Sequence, residues 1–233
     1  MASRSNYGQF CPVSKASEVV AERWTPLVLR ELISGCTRFN DIHRGVPLMS
    51  KSLLSKRLKE LERAGVIVRR EVPGEGVKGY FLTEAGESLR PIIIALGEWG
   101  HRYVRSNFSH QDLDASLLMW DIRRLVQVGH LPDPRTVIEF EFTDQTGARR
   151  RWWLLKEAHA DAIELCLHDP GYEIDLRIQS DLETMTRVWM GDIDIPVALR
   201  SGDLKLDGAA NLRLSFQDWI GLSLFAHVDA APV

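Results

Sequence analysis

The sequence predicts an α+β protein with two domains: an N-terminal winged helix-turn-helix, mostly α with a β-hairpin wing, and a C-terminal α+β domain. Apolar residues recur at helical spacing through residues 12–64. The period then shortens to that of a β-hairpin in residues 66–82. In the second half, segments with strand-like alternation are mixed with helical segments. We therefore expect one domain at 1–105 and a second domain at 106–233.

Turn and capping residues divide the first half into elements. Pro12 is suited to the first position of a helix, and Gly35 and Gly65 are suited to helix ends. The predicted helix N-caps are Thr25, Thr37, Ser50 and Thr83. A Pro-Gly-Glu-Gly turn at 73–76 separates the two strands of the hairpin. One long helix, rich in Ile and Trp, is predicted over 84–105.

Charge is distributed unevenly between the two halves. Residues 1–105 carry 17 Lys and Arg against 11 Asp and Glu, whereas residues 106–233 carry 12 against 21. A basic half joined to an acidic half fits a nucleic-acid module with an appended domain of another role. Chance clustering would produce the same totals, so the positions of the charges must distinguish a nucleic-acid module from chance.

The helix predicted over 51–64 has the charge pattern of a recognition helix. On a helical wheel Leu54, Leu58 and Leu61 form one buried stripe. The opposite face carries small hydroxyls and cations with no acid between them, as a helix in the major groove requires. Arg57 borders the buried stripe, so we expect it to form a structural ion pair. The predicted DNA-binding residues are Arg38, Ser50, Lys51, Ser52, Ser55, Lys56, Lys59, Arg63 and Lys78, with Arg69 and Arg70 as further candidates in the hairpin.

Several short motifs in this half resemble the HxlR family of winged-helix transcription regulators. They are Cys11-Pro12-Val13, Arg23-Trp24-Thr25, Leu29-Arg30-Glu31-Leu32, Arg38-Phe39-Asn40-Asp41-Ile42 and the run from Leu54 to Glu62. The resemblance covers about residues 8–105. It implies a homodimer, formed through the terminal helices, that binds a two-fold operator on double-stranded DNA. The apolar helix 84–105 suits such an interface, or alternatively packs on the second domain.

Cys11 is a candidate redox-sensing residue. Some members of the family sense electrophiles or oxidants through a cysteine at this position, and a thiol at a helix N-terminus is activated by the local dipole. The alternative is a cysteine that only begins the helix. Cys36 and Cys166 lack an evident activating environment, and three widely spaced cysteines argue against a disulfide framework.

The second half resembles the sterol-carrier-protein-2-like fold in the stretch 188–192 and in the stretch 198–208. The resemblance covers about residues 112–225. The strand and helix patterns of this half predict helices on one face of a mostly antiparallel sheet, and the resemblance implies an apolar cavity between sheet and helices. The candidate lining residues for a small apolar ligand are Trp120, Trp152, Trp153, Trp189 and Trp219. Ordinary packing of these tryptophans in the core is the alternative.

The sequence offers no pattern for catalysis, a metal or a cofactor. The seven histidines lack paired ligand spacing, and the Gly74–Gly79 match to a dinucleotide motif runs into a strand rather than a helix. No apolar run is long enough to span a membrane, and residues 1–10 lack the apolar segment of a signal peptide, so we expect a cytoplasmic protein without enzymatic activity. Two alternatives stay open: a thiol-based sensor acting through Cys11, and a lipid or metabolite carrier whose winged helix contacts proteins.

Overall fold

The computed structural model describes residues 7–104, 109, 112–229 and 231. The chain divides into two compact units, Met1–Gly97 and Glu98–Val233. The division falls inside a helix, whereas the boundary predicted from the sequence, between residues 105 and 106, lies outside the described residues.

The N-terminal unit consists of helices and one two-stranded sheet. Its elements are α1 (Pro12–Val20), α2 (Thr25–Ile33), α3 (Phe39–Gly45), α4 (Lys51–Arg63), β1 (Ile67–Glu71), β2 (Lys78–Leu82), α5 (Glu84–Glu87) and the first part of α6 (Arg90–Tyr103). The strands β1 and β2 pair antiparallel, with Ile67 opposite Leu82 and Glu71 opposite Lys78. The helix α2 packs against α3 and β2, and α4 packs against β1. This arrangement is a winged helix-turn-helix.

Apolar residues from several elements of this unit are buried together. The fully or almost fully buried side chains are Val28, Leu29, Ile42, Val46, Met49, Leu54, Leu58, Leu61 and Ile67. They come from α2, α3, α4, the turn before α4, and β1, which are the elements of the helix-turn-helix and its wing. Burial of these apolar side chains is therefore what holds α4 at a fixed position relative to the hairpin.

Two of the four predicted N-caps are wrong. Ser50 accepts a hydrogen bond from the Leu53 amide at 3.3 Å, and Thr83 accepts one from Gly86 at 3.2 Å, as predicted. The cap of α2, however, is Trp24 in a left-handed conformation with φ of 76°, and Thr25 is the buried first residue of the helix. The cap of α3 is Arg38, because the Thr37 carbonyl is engaged by the Tyr80 amide of the wing at 2.8 Å.

The long helix predicted over 84–105 is wrong as well, because the chain forms α5 and α6 with a turn at Ser88 and Leu89 between them. Pro91 explains the break. Proline lacks the amide proton that a continuous helix would donate to the carbonyl four residues earlier, and it is tolerated only in the first turn. A new helix therefore begins at Arg90, one residue before the proline.

The C-terminal unit is built on a five-stranded sheet. Its elements are α7 (Ala115–Leu125), β3 (Thr136–Phe142), β4 (Arg151–Lys156), β5 (Glu164–Cys166), β6 (Leu176–Ser180), α8 (Leu182–Met190), α9 (Ile195–Ser201), β7 (Lys205–Gly208), α10 (Ala210–Leu214) and α11 (Phe216–Trp219), with 3₁₀ turns at Val128–His130 and Gly147–Arg149. The strand order is β5-β4-β3-β6-β7. Only β3 and β6 pair in parallel, so the sheet is mostly antiparallel, as predicted.

One face of this sheet carries the core of the unit. Ile138, Phe140 and Phe142 of β3 are buried together with residues from α7 to α11. Alternate residues on β3 point to the other face, where Val137 packs with Trp153, Leu155 and Cys166 in a smaller cluster. The α+β class is thus confirmed.

The last helical segment consists of two short helices, α10 and α11, rather than one continuous helix. Ser215 lies between them, and its hydroxyl donates to the Asn211 carbonyl at 2.9 Å. A serine that hydrogen-bonds back to the preceding turn competes with the backbone and bends or interrupts a helix.

Candidate nucleic-acid interface

The helix α4 presents two chemically different faces. Leu54, Leu58 and Leu61 are buried, as the wheel predicts. The cations Lys51, Lys56, Lys59 and Arg63 and the hydroxyl of Ser52 belong to exposed residues, and Ser55 is half-buried beside them. The helix begins at Ser50, whose hydroxyl caps the Leu53 amide and lies 3.1 Å from the Ser52 hydroxyl. The outward face of α4 therefore offers cations and short polar groups.

Arg57 does not belong to that face. It is 8% exposed, and it donates to Glu60 Oε2 at 2.7 Å and to Glu22 Oε2 at 3.3 Å. The sequence-based prediction of a structural ion pair is confirmed. Because Glu22 lies in the turn between α1 and α2, the pair ties the recognition helix to the start of α2.

The acids of α4 leave its cations available. Glu60 is half-buried and is engaged by Arg57, so its contact with Lys56 is at the limit of an ion pair, 4.0 Å from Nζ to Oε1. The Lys56 side chain remains 61% exposed. An exposed, weakly paired ammonium group can still meet a phosphate.

Arg38 stands at the other end of the helix-turn-helix, where it caps α3 and forms an ion pair with Glu75 at the tip of the wing. The sequence analysis missed this pair because the two residues are 37 positions apart in the chain. The wheel, which locates charges only within one helix, gives no signal for it. The charge that Arg38 offers to a phosphate is therefore already balanced.

The wing is held by backbone and ring contacts. The Tyr80 amide donates to the Thr37 carbonyl at 2.8 Å, which fixes β2 beside the start of α3. The guanidinium of Arg70 lies 4.2 Å from the centroid of the Phe81 ring, and that of Arg69 lies 5.7 Å from the Tyr80 ring. Lys78 is exposed at the first position of β2. The hairpin thus carries three cations along a short, supported strand pair.

Cys11 is the N-cap residue of α1 and is partly exposed. Hydrogen bonds from the backbone N–H groups of Ser14 and Val13 lower the pKa of its thiol. By contrast, burial raises the pKa of the Cys166 thiol at the end of β5. Cys36 is buried, and its thiol lies 3.7 Å from Glu31 Oε2. Of the three thiols, Cys11 has the environment that favours the thiolate.

The tryptophans expected around a ligand are mostly packed. Trp152 and Trp219 belong to the core between sheet and helices, and their indole N–H groups donate to the carbonyls of Arg149 and Leu212 at 2.9 and 3.0 Å. Trp120 is buried beneath Arg123, whose guanidinium lies 5.0 Å from its ring, and Trp189 is half-buried against the same core. Trp153 was expected between sheet and helices, but it lies on the opposite face because it follows Trp152 in the strand.

Neither a metal site nor a membrane-spanning helix is found among the described residues. No group of three or more His, Cys, Asp or Glu in that part of the chain could hold a metal ion. No helix in the ranges given above is long and apolar enough to cross a membrane.

The fold and the exposed face of α4 define the class: a winged helix-turn-helix with a basic recognition helix. The family model for the HxlR-like helix-turn-helix matches residues 19–108. The uncharacterized HTH-type transcriptional regulator YvaP of Bacillus subtilis is 35% identical over 105 residues, which are 44% of this chain and 97% of YvaP. The HTH-type transcriptional regulator YodB of the same organism is 33% identical over 95 residues, 40% of this chain and 85% of YodB. Among solved structures, the reduced form of YodB is similar at 29% identity with a TM-score of 0.36, covering 43% of this chain and all of that one.

The chain belongs to the HxlR-like helix-turn-helix family. It is a DNA-binding transcriptional regulator, as the sequence predicted. The family match ends at residue 108, so the five-stranded sheet lies outside it.

Proposed function

We propose that this regulator acts in the cytoplasm as a homodimer on a two-fold operator, with α4 in the major groove and the wing β1–β2 along a phosphate strand. The observation that carries the proposal is the segregation on α4: apolar residues are buried, Arg57 is neutralised by Glu22 and Glu60, and the remaining cations face solvent. The residues assigned to DNA are those predicted from the sequence: Arg38, Ser50, Lys51, Ser52, Ser55, Lys56, Lys59, Arg63 and Lys78. The proposal includes no catalytic step.

The roles of these residues differ by their chemistry. The exposed lysines and Arg63 neutralise phosphates, while Ser52 and Ser55 are short enough to let the helix approach base edges. The backbone amides at the start of α4, next to Ser50 and Lys51, offer donors to a further phosphate.

Exposed apolar residues on α6 support the dimer. Ile92, Leu96, Trp99 and Tyr103 are each 50–57% exposed. Their spacing of four, three and four residues places them within about 60° of one another around the helix axis. An apolar stripe of this kind on a long helix is typical of a protein–protein contact. Tyr7, Phe10 and Val13 at the other end of the domain are also exposed.

Loss of two cations from α4 tests the groove assignment. The probe is a duplex selected by the wild-type chain from a random-sequence library, and affinity is measured by fluorescence anisotropy at several salt concentrations. We expect the double variant Lys56→Ala/Lys59→Ala to lose about tenfold or more in affinity. The slope of log affinity against log salt should fall by about 3.6, because the dimer loses four phosphate contacts and each contributes close to 0.9.

The matched control removes two exposed cations from the C-terminal unit, Lys205→Ala/Arg213→Ala, and should leave both quantities unchanged. Equal losses in the two double variants, or none in either, would remove α4 from the groove. A wild-type chain whose binding hardly changes with salt would favour the carrier alternative instead.

A thiol-based sensor acting through Cys11 is the second candidate, and the lowered pKa of that thiol favours it. The test compares release of the selected duplex by diamide in the wild-type chain and in Cys11→Ser. We expect release from the wild-type chain only, with Cys166→Ser as the control that still responds. Identical release from all three chains would eliminate Cys11 as the sensor.

We also propose that the C-terminal unit has the sterol-carrier-protein-2-like fold and accepts a small apolar ligand beside Trp120, Trp152, Trp189 and Trp219. Support comes from the helices α7 to α11 packed on one face of the sheet. Trp189 is the strongest of the four candidates, since it is only half-buried and its indole nitrogen has no hydrogen-bond partner among the described residues. Titration with octanol should shift the fluorescence of the wild-type chain more than that of Trp189→Phe. Equal shifts in the two chains would refute the assignment.

A further inference from the structure

The face of the C-terminal sheet that is turned away from the helices holds two buried carboxylates. Glu139 and Glu141 of β3 are 1% and 4% exposed, on the side opposite Ile138 and Phe140. A buried carboxylate is costly unless it is paired and hydrogen-bonded. The partners of these two are arginines and a glutamine from both neighbouring strands and from the end of the β3–β4 connection.

Three arginines surround the two carboxylates. Arg150 donates to Glu141 Oε1 through Nε at 3.0 Å, and Arg151 donates to the same oxygen through Nη2 at 3.3 Å. Arg177 donates to Glu139 Oε2 at 3.2 Å. Gln179 donates to the second oxygen of Glu141 at 2.6 Å, which completes the partners of that carboxylate.

These arginines keep donors for a further partner. The side chains of Arg150 and Arg151 are 48% and 50% exposed although their guanidinium groups are held by Glu141. A guanidinium has five N–H donors in a fixed plane, and these contacts use only some of them. Because the buried glutamate holds the two groups in place, a ligand that binds them does not have to order two long side chains.

A pocket of about 520 Å³ opens at these two arginines. Its wall includes Ala148, Arg150, Arg151, Trp153, Leu167 and His168. The volume lies within the range of small-molecule sites, and the wall combines two cations with apolar surface. Asp169 lies at the same pocket, where its carboxylate accepts a hydrogen bond from the Gly171 amide at 2.8 Å.

Trp153 is a buried residue at the wall of the same pocket. It is 8% exposed and forms part of the pocket wall, and its indole Nε1 has no hydrogen-bond partner among the described residues. In the register of the sheet it stands opposite Glu139, which in turn stands opposite Arg177. Arg177 Nε likewise lacks a partner in that part of the chain. Glu139 Oε1 in the same row is also without a hydrogen-bond partner among the described residues, although it lies 3.2 Å from Arg151 Nε. The row thus holds two unpaired donors and one unpaired acceptor, whereas buried donors are normally paired.

We propose that this pocket binds an organic carboxylate: its carboxylate group accepts hydrogen bonds from Arg150 and Arg151, and its apolar body lies against Trp153, Leu167 and Ala148. The formal charges around the pocket cancel, with Arg150, Arg151 and Arg177 against Glu139, Glu141 and Asp169. A singly charged ligand therefore fits better than a doubly charged phosphate. The planar arrangement of donors on a guanidinium matches the two oxygens of a carboxylate.

The site is distinct from the apolar cavity expected between sheet and helices, because Trp152 and Trp153 lie on opposite faces of β4. It also does not depend on the assignment of DNA-binding residues. Failure of one proposal therefore leaves the other intact.

The test follows the indole N–H signals of the ¹⁵N-labelled full-length chain by NMR, with Trp153→Phe used to assign the Trp153 signal. The probes are benzoate, 3-phenylpropionate and octanoate, each titrated to 10 mM, with benzamide, acetate and phosphate for comparison. We expect a saturable shift of the Trp153 signal with at least one of the three apolar carboxylates. Benzamide, acetate and phosphate should give at least tenfold weaker binding, because each lacks either the single charge or the apolar body.

Variants then test the assigned residues. Arg150→Gln and Arg151→Gln should each weaken binding about tenfold, as expected for a charged hydrogen bond. Arg213→Gln on α10 removes the same charge from an exposed position and should leave binding unchanged. Should an arginine variant fail to fold, Leu167→Glu serves instead, because it places a negative charge at a residue that is 55% exposed.

Three results would overturn the proposal. One is the absence of a saturable Trp153 shift with all three apolar carboxylates. Another is equal binding of phosphate or benzamide. The last is equal affinity in the wild-type chain and in the folded Arg150, Arg151 or Leu167 variants.

Discussion

At the scale of single residues, Arg57 and Arg38 differ in what determines their contacts. The local sequence pattern predicts the position of Arg57, whereas the position of Arg38 depends on a tertiary contact. The helical wheel alone predicts that Arg57 lies toward the buried side, since its position beside Leu54, Leu58 and Leu61 is determined by helix geometry. Arg38 could not be treated in that way. Its partner, Glu75, is brought to it by the hairpin, and nothing in the local sequence around either residue indicates their pairing.

The Arg38–Glu75 pair leads to a prediction for DNA binding. Glu75→Gln removes the acid that balances Arg38 and also removes a negative charge from the wing tip. We expect affinity for the selected duplex to rise about threefold to tenfold, and the salt slope to become steeper by about 1.8 as each protomer of the dimer neutralises one more phosphate. Anisotropy titrations at four salt concentrations measure both. The control is Glu173→Gln, an exposed acid of the C-terminal unit, and an equal gain there would show that only net charge matters.

Glu141 leads to a prediction for acid stability. Its hydrogen bond from Gln179, followed by those from Arg150 and Arg151, lowers its pKa from 4.5 to about 2. A carboxyl with a depressed pKa in the folded state stabilises the fold above its unfolded value, and that stability is lost as pH falls toward the folded value. The relevant window is therefore about pH 4.5 down to 2.

In that window the wild-type chain should lose stability faster than Glu141→Gln. The difference in the free energy of unfolding lost between pH 6 and pH 3 should be about 2 kcal/mol at most. Urea unfolding followed by tryptophan fluorescence measures it. Parallel pH profiles for the two chains would mean that Glu141 keeps an ordinary pKa.

At the scale of elements, the position of the wing depends on the close approach of Gly79 to Val72 and Thr37. A methyl group on Gly79 would meet Val72 Cγ2 at 2.8 Å and the Thr37 carbonyl oxygen at 3.1 Å. That carbonyl accepts the hydrogen bond from the Tyr80 amide that fixes the hairpin beside α3. The position of Lys78 relative to α4 is thus set by the absence of a side chain at the next residue.

Gly79→Ala should therefore push the wing away from Thr37. We expect a loss of about 1–3 kcal/mol in stability, as is usual for overpacking, together with weaker DNA binding. Gly129→Ala is the matched control, since no atom lies within 4 Å of its added methyl group. Thermal unfolding and anisotropy of both variants give the answer, and an unchanged Gly79→Ala would show that the hairpin tolerates the displacement.

Sequence periodicity does not by itself predict where each element ends or which of its residues are buried. The pattern across 84–103 is helical throughout, and only Pro91 breaks it into α5 and α6. On β3, Glu139 and Glu141 alternate with apolar residues, which is typical of a strand. The structure buries both acids beneath arginines that follow in the next segment or lie on another strand.

At the scale of the whole molecule, the exposed stripe on α6 predicts assembly. Trp99→Glu places a charge at the centre of the stripe formed by Ile92, Leu96, Trp99 and Tyr103, and burial of an unpaired charge is strongly unfavourable. We expect the variant to sediment as a monomer at a concentration where the wild-type chain is a dimer. Its affinity for a two-fold duplex should fall by about tenfold or more, because each monomer then binds a single half-site.

Sedimentation velocity at several concentrations measures the first outcome, and anisotropy measures the second. The control, Ala85→Glu on α5, adds the same charge at an exposed position outside the stripe. A wild-type chain that stays monomeric, or a Trp99→Glu variant that stays dimeric, would refute the assembly proposed through α6.

The sequence by itself determined the winged helix-turn-helix, the recognition helix with its buried leucines, the inward position of Arg57 and the α+β class of the second half. These depend on periodicity, caps and turns, which act over a few residues. Only the tertiary structure decided that Arg38 pairs with Glu75, and that the Thr37 carbonyl accepts a hydrogen bond from the wing instead of beginning α3. It also decided that Glu139 and Glu141 are buried beneath arginines beside a pocket. Each of those contacts joins residues from different elements, and the cost of burying a charge or a backbone group is met by partners that local sequence does not specify.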